Sequence, residues 1–543
     1  MTKTWDNYND AGNAAYKNGH YDEAEKSFSA ALLEAEKFGP KDPRLGKSLN
    51  NIAAIYETQG KYAEAEPLYK RALAISENIL GPGHPVVADC MNNLAALYSA
   101  QGKYAEAQLL SELSLEIRET VLGPNHPDFA QSLDSIAVLY YKQGKYAEAE
   151  PMYKQALAIY EKAFGPKHPE VAQSLSNLAE LYRQQGRYEE AEPLFNRSLQ
   201  IRERVLGPNH PDVAESLSIL AAFYHTQGRT PEAEQLSLRS LEIREKALGP
   251  NHPAVANNLR NLAVLYDDQG KYTEAESAYK RSLAMTEKAL GPDHPCVASC
   301  LNNLALLYGQ LGRDAEAEPL YNRSLEIRLK AFGPNHPDVA TCLNNLGVFY
   351  RKQEKYAEAE SLFKRSLRIR AKALGSNHPD VATGLSSLSI LYRLQGKFAE
   401  AEPLSKRSLK IREKVLGSNH ADVATGMTNL AILYRLQEKY AEAEPLCMRS
   451  LEIREKTWGP NHPDVAHSLN NLALLFYKQN KFAEAEPLFK RSLSIREKVL
   501  GPNHPDVAET LNDLAELYDT QGKCLEAERL RKRSLQIRGK PHN

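Results

Sequence analysis

The sequence predicts an all-α solenoid of thirteen stacked helical hairpins, and three observations carry that expectation. Glycines recur every 42 residues, at Gly39, Gly81, Gly123, Gly165, Gly207, Gly249, Gly291, Gly333, Gly375, Gly417, Gly459 and Gly501. Between successive glycines the apolar residues fall into two stripes at helical spacing. The stripes are joined by one octapeptide, GPNHPDVA, which is identical at 207–214, 333–340, 459–466 and 501–508. Twelve glycines divide the chain into thirteen units, so one repeat domain spans 1–543, with 1–38 as an N-terminal capping repeat and 505–543 as the C-terminal repeat.

Each element of a unit has a local cause, illustrated by the stretch 295–333. Val297, Leu301, Leu304, Ala305 and Leu307 line one face of a first helix, A. Gly312-Arg313 makes a short turn. Ala315, Ala317, Leu320, Tyr321, Leu325 and Ile327 line a second helix, B, which Gly333 closes as a left-handed residue. In the connector the first proline prevents continuation, and the second (Pro211 in one copy) suits a helix's first position. Asp212 then brings negative charge to the new N-terminus. The octapeptide is a stop-and-restart signal. Its histidine recurs at His84, His126, His168, His210, His252, His294, His336, His378, His420, His462 and His504. Stacked units advance by roughly 10 Å, too far for neighbouring copies to share a metal ion, so the histidine reads as a hydrogen-bonded pin of the loop. Pro67, Pro151, Pro193, Pro319, Pro403, Pro445 and Pro487 fall early in helix B, where a kinked or loosened first turn, but no break, is expected.

Composition narrows the function. The net charge is −1 from 68 basic and 69 acidic side chains, so no global field recruits nucleic acid or an anionic membrane. Six irregularly placed cysteines, a polar start without an apolar leader, and no apolar run long enough to cross a bilayer predict a cytoplasmic protein. No phosphate loop, nucleophile elbow or H-E-x-x-H occurs, so neither enzyme activity nor a cofactor is expected, and no residue is assigned a catalytic or metal-binding role. His294, Cys296 and Cys300 form the one ligand-like cluster. Because Cys90, Cys300 and Cys342 share a repeat position filled elsewhere by Ser132, Ser174 or Gly384, it reads as a small-residue packing slot. The helix B arginines Arg323, Arg328, Arg365, Arg370, Arg407 and Arg412 read as a solvated, salt-bridged outer surface.

The pattern NNLAxLYxxQGKYAEAExLxxRSLxI resembles the tetratricopeptide repeat, with Leu94, Ala95, Tyr98, Gly102, Tyr104 and Ala107 on that family's signature positions. The 42-residue period, the AEP of helix B and the LGPNHPDVA connector are similar to the kinesin light chain type, although no heptad coiled coil precedes the array, so attachment to a motor is not expected. The resemblance implies right-handed superhelical stacking with helix A on the concave face and helix B on the convex one. It also implies roughly seven or eight units per turn, so that thirteen wind past one and a half turns.

In that family the concave positions of helix A contact peptides, and here they carry amides, an apolar floor and charge in order. The amides are Asn302, Asn303, Asn344, Asn345, Asn429, Asn470 and Asn471, able to both donate to and accept from an extended backbone, with about half expected to tie neighbouring units together. The floor is Val348, Ile390 and Ile432, with Leu306 and Leu474 at the same repeat position. The charge is Arg351, Lys352, Arg393, Arg435 and Lys478, against acidic Glu180, Glu215, Asp267 and Asp268 in the middle units. The expected partner is therefore a protein or peptide with carboxylates around an apolar anchor, held in units 9 to 12 by a monomeric, non-enzymatic scaffold. Two other readings stand beside it: a spacer or self-assembling array with an empty groove, and, third, a nucleic-acid reader, which the near-zero net charge opposes.

Overall fold

Every connector histidine from His84 to His504 caps the helix that follows it: its Nδ1 accepts the backbone N–H two residues on, at 3.0–3.3 Å. A helix start leaves four N–H groups without partners, and an acceptor on the preceding residue satisfies one of them. Asp42 does the same for unit 2, accepting from Arg44 N at 3.0 Å. The glycine that opens each connector has φ between +77° and +96°. Its ψ, 155° at Gly81 and 172° at Gly333, lies beyond the left-handed helical region expected from the sequence and in territory open only to glycine, which is why all twelve positions are Gly.

The computed structural model describes residues 2–538. Among them are twenty-six helices in thirteen pairs, from α1 (Thr2–Lys17) and α2 (Tyr21–Glu36) in unit 1 to α25 (Pro505–Thr520) and α26 (Cys524–Arg538) in unit 13. Odd-numbered helices are the A helices and even-numbered ones the B helices. Each A packs on its own B, each B on the next A, and successive A helices touch. The chain is an all-α solenoid of paired helices. Its core is a chain of small clusters, such as Val339, Ala340, Leu343 and Ile369, closed by leucines of neighbouring B helices.

The B helices run unbroken through their internal prolines. Pro67 is exposed, as is Ala63 one turn before it, so the carbonyl that loses its donor lies on the solvent side. The cysteine slot is a packing position: Cys300 is buried beside Ser282 Oγ at 3.5 Å, and Cys342 beside Ser324 Oγ at 3.3 Å.

Two expectations need correction. Half of the helix B arginines are not on the surface. Arg323 pairs with Glu287 at 2.6 Å across the outer face, but Arg328, Arg370 and Arg412 are buried. Arg328 and Arg370 each donate to the backbone carbonyl ten residues on, in the following unit, at 3.1 Å, and Arg412 donates to Ser386 and Ser408. Five residues along a helix is about 140° of rotation, so the two arginines of one helix point to different faces. Arg328 and Arg370 thus hold the carbonyl of the same residue whose N–H the histidine caps.

The second correction concerns the superhelix, which winds more tightly than seven or eight units per turn. His294 contacts Thr58, His336 contacts Ala100 and His378 contacts Lys142, each pair 236 residues apart. Each contact joins the N-terminus of one A helix to the C-terminus of the A helix six units earlier: unit 8 sits on unit 2, unit 9 on unit 3, unit 10 on unit 4. A turn therefore takes six units, and thirteen make two turns and one unit more. Because helix A reaches from one turn to the next, its 16 residues set the pitch, about 24 Å.

Aromatic side chains close the same seam. Phe332 stacks on Tyr62 of the lower turn at 5.3 Å and on His336 at 4.2 Å, and Trp458 sits between Tyr188 (4.7 Å) and His462 (5.1 Å). Beyond unit 12 the seam opens into a cleft of about 700 Å³ lined by His225, Asp267, Asp268, Lys352 and His504 among others.

Candidate functional site

Six A helices around one turn form a ring whose inner faces line a bore. With helix axes about 8–10 Å apart a hexagonal ring has a radius equal to that spacing, and removing a helix radius of about 5 Å leaves an opening of about 10 Å at most. That admits an extended chain and excludes a helix with its side chains, which needs about 10–12 Å. The stacked turns wall the bore along its length, leaving the lower mouth, at the N-termini of the first six A helices, and the upper mouth, at the C-termini of the last six.

Several of the amides expected to meet a ligand are committed to neighbouring groups of the wall. Asn345 donates to Asn302 Oδ1 at 3.1 Å, Asn470 to Asp513 at 2.7 Å, and Asn471 to the His467 carbonyl at 3.0 Å. Asn302, Asn344, Asn470 and Asn471 are buried, whereas Asn303, Asn345 and Asn429 are half-buried. The Asn344 and Asn470 carbonyl oxygens are enclosed without a hydrogen-bond donor. Val348, Ile390, Ile432 and Leu474, at the same repeat position, are half-buried.

The charged stripe behaves differently. Arg351, Arg393 and Arg435 occupy the fifteenth position of α17 (Pro337–Lys352), α19 (Pro379–Leu394) and α21 (Ala421–Leu436), at the upper mouth. All three are half-buried, and among the described residues none has a hydrogen bond or an ion pair. Burial lowers the pKa of each, and Arg393 is pushed further down by Arg435 and Arg351 on either side. Lys352 and Lys478 are exposed beside them. Leu394 and Leu436, which follow Arg393 and Arg435, are 47% exposed, an apolar pair that sequence reading passed over. Their signal was legible: units 3 to 7 carry Ala100, Lys142, Gln184, Thr226 and Asp268 at that position.

Several other charged groups of the bore have partners, although Asp134, at the helix A position of Asn302, keeps a buried carboxylate oxygen without a donor and burial lifts its pKa to about 7. Glu180 takes Arg183 at 2.6 Å and the Tyr141 hydroxyl at 2.9 Å, so its pKa falls although it is largely buried. His225 meets Asp268 at 2.7 Å, and burial together with Asp268 lifts Asp267 to about 6. Glu215 lies 3.7 Å from Arg202. The upper mouth is thus positive over units 9 to 12, next to the acidic pair of unit 7, and the guanidinium groups of Arg351, Arg393 and Arg435 are left without an ion pair among the described residues. Among the described residues no group of three or more His, Cys, Asp or Glu could hold a metal ion, and no helix is long and apolar enough to cross a membrane.

A tetratricopeptide repeat model matches the chain in twelve overlapping windows, from 6–78 to 469–540. Among solved structures, a putative kinesin light chain of Podosopora anserina with nearly identical TPR-like repeats is 27% identical, over 37% of this chain and 96% of that one, with a TM-score of 0.32. BtubC (BKLC) from P. vanneervenii is 24% identical over 44% of this chain and 91% of that one, with a TM-score of 0.33. No curated protein matches.

Proposed function

Since the chain belongs to the tetratricopeptide repeat family, whose fold generally scaffolds protein–protein interactions, we propose that it is a non-catalytic scaffold that takes an extended acidic segment of a partner protein into the upper mouth of its bore. The observation that carries this reading is the column of three half-buried arginines, one per unit, none of them in an ion pair among the described residues, with Asp513 the one carboxylate felt by Arg435. Three like charges held side by side and partly dehydrated cost free energy in the empty protein. The C-terminal end of each A helix offsets part of that cost, since its dipole favours a cation there. Carboxylates spaced along an extended chain would offset the rest through charge-assisted hydrogen bonds. Leu394 and Leu436, with Val348, Ile390, Ile432 and Leu474 below, supply the apolar contact for an anchoring side chain. Asn303 and Asn429 remain open for main-chain contacts, while Asn302, Asn344, Asn345, Asn470 and Asn471 support the wall.

The rival reading, end-to-end assembly with an empty bore, has one observation for it and one against. Leu535 is 69% exposed at the C-terminal face, where its counterpart Leu493 packs on the next unit. At the N-terminal face, however, exposed Thr4, Tyr8, Ala11 and Ala14 stand where unit 8 places Val297, Leu301, Leu304 and Leu307, so a second copy meets a smaller and partly polar surface in place of the branched side chains that continue the stack elsewhere. The expected oligomeric state is a monomer, in a cytoplasmic setting.

The test is capture of an acidic peptide library. The native protein should retain extended acidic peptides with an apolar anchor, and R351E/R393E/R435E should lose retention by about 100-fold or more, since each charge-assisted contact is worth about 1.5–3 kcal/mol. Equal retention by both proteins would refute the site.

A further inference from the structure

The connector histidines of the second turn do more than cap helices, and we infer that they form a proton-operated latch: protonation parts the two turns of the superhelix while the hairpins themselves stay folded. The inference is independent of what occupies the bore.

The geometry fixes the resting state of each imidazole. In His336, Nδ1 accepts from Asp338 N at 3.0 Å and therefore carries no proton. Nε2 carries it instead and donates to the Ala100 carbonyl of the lower turn at 3.0 Å. The same two-sided arrangement holds at His294 toward Thr58 (2.8 Å) and at His378 toward Lys142 (3.2 Å). His420 meets the Gln184 carbonyl, and His252 and His462 lie over Gly19 and Gly228. A second proton on any of these rings must go to Nδ1. There it faces the N–H it had been accepting, at the positive end of a helix, in a layer closed to water on both sides.

The charges around the rings divide. On their own helices four of these rings have an acid two residues on, Asp338 for His336, Asp380 for His378, Asp422 for His420 and Asp464 for His462, which favours the charged form, whereas His294 and His252 have Cys296 and Ala254 there. From the B helix beneath, Arg328, Arg370, Arg412 and Arg454 oppose it. From the lower turn come Lys142, which also opposes it at His336, and the neutral hydroxyls of Tyr62, Tyr104 and Tyr146, held protonated up to about 12 by burial and by these same aspartates. Burial is the largest influence, and each of these imidazoles, with His252, His294 and His504, has its pKa lowered. The sign follows. The parted form, with its histidines in water near the ordinary value of about 6.5, takes up protons before the closed form does. Closure is fully favoured above that value and weakens as the pH falls below it.

The lower turn supplies the control. His126 and His210 cap their helices in the same way, but their side chains are 41% exposed and nothing lies beneath them. Protonating them costs a cap and separates nothing.

The experiment follows three full-length proteins from pH 7.5 to 5.0 by small-angle scattering, by amide exchange corrected for its intrinsic pH dependence, and by far-ultraviolet circular dichroism. They are the native chain, H336N/H378N/H420N and H84N/H126N/H210N. Asparagine keeps the cap but neither titrates nor reaches the turn below. In the native chain the maximum dimension should rise as the pH falls. Amides around Ala100–Lys103 and Lys142–Lys145 should exchange several-fold faster, with helical signal unchanged. The lower-turn variant should respond as the native chain does, and the upper-turn variant should be loose already at pH 7.5 and respond much less, since only His252, His294, His462 and His504 remain to titrate in the seam. A native chain whose dimension and exchange do not change, an upper-turn variant that keeps the full response, a lower-turn variant that loses it, or a response that tracks loss of helix would each overturn the latch.

Discussion

In the first turn of the superhelix the connector faces water, and in the second the same connector lies between turns. The His126 side chain is 41% exposed and that of His378 is 9% exposed. Phe164 stacks on His168 at 4.5 Å and has only Tyr160 of its own helix nearby, at 6.2 Å, so it stays exposed, whereas Phe332 stacks on His336 and is covered by Tyr62 of the turn below. The glycines of the A–B turns divide along the same line. In units 1 to 6, a Cβ at Gly19, Gly60, Gly102, Gly144, Gly186 or Gly228 would lie 2.6–3.1 Å from the histidine or proline stacked above it. In units 7 to 13, Gly270, Gly312, Gly396 and Gly522 have open space, and the other three units carry Glu354, Glu438 and Asn480 at φ near +60°. One repeat sequence therefore serves two structural roles, and what separates them is whether another turn lies over it. A solenoid is ordinarily a sum of nearest-neighbour terms. Here the seam adds a coupling between units six apart.

The largest expected effect breaks that coupling directly. Gly186 and Gly396 have φ of +71° and +73°, so Ala at either position takes on the left-handed penalty of about 1 kcal/mol. At Gly186 the new Cβ also falls 2.8 Å from the His420 ring. We expect Gly186→Ala to destabilise by about 2–4 kcal/mol, with overpacking added to strain, and Gly396→Ala by about 1 kcal/mol. Denaturation midpoints of the two variants measure the difference. Equal losses would mean that the turns do not stack.

Next in size is the aromatic pair. Phe332→Ala removes a ring held between Tyr62 and His336, and we expect a loss of about 2 kcal/mol, less than a fully buried phenylalanine would cost. Phe164→Ala, at a 42% exposed position, should cost under about 1 kcal/mol. The same denaturation series reads both, and reversal of their order would place the seam elsewhere.

How much of this was legible in the sequence follows the range of each interaction. The 42-residue period, the two helices, the stop-and-restart connector and the histidine pin were readable because each is settled within a few residues of the chain. The cap, for instance, spans two. The number of units per turn was not, since it accumulates small rotations over six copies of the same local signal. The one trace of it in the sequence is the loss of glycine at Glu354, Glu438 and Asn480 and at none of the six stacked turns. The arginines of helix B were misread because alternation with glutamate describes Arg323 and equally Arg328, five residues on, which faces inward. In the bore, Arg351, Arg393 and Arg435 stood out because they vary within a near-constant repeat. The sequence could not show that Asn302, Asn470 and Asn471 would spend their amides on neighbours, because those partners lie on adjacent units or across a helical turn.

The smallest expected effect is the most discriminating about the upper rim. A glutamate at φ of +61° or +60° carries backbone strain that glycine would relieve, while glycine loses more chain entropy on folding, two contributions of about 1 kcal/mol with opposite sign. If nothing lies over the rim, Glu354→Gly and Glu438→Gly should change stability by under about 1 kcal/mol each and leave the scattering profile as it was. A loss clearly above that would mean that the two carboxylates engage something on the rim, and then the upper turn would be a contact surface in its own right. The reciprocal change, Gly102→Glu in the stacked turn, should open the seam, because the side chain that the rim accommodates has no room beneath His336. The two substitutions together ask whether the choice between glycine and glutamate is dictated by the backbone angle, which the two turns share, or by the presence of a neighbour, which they do not.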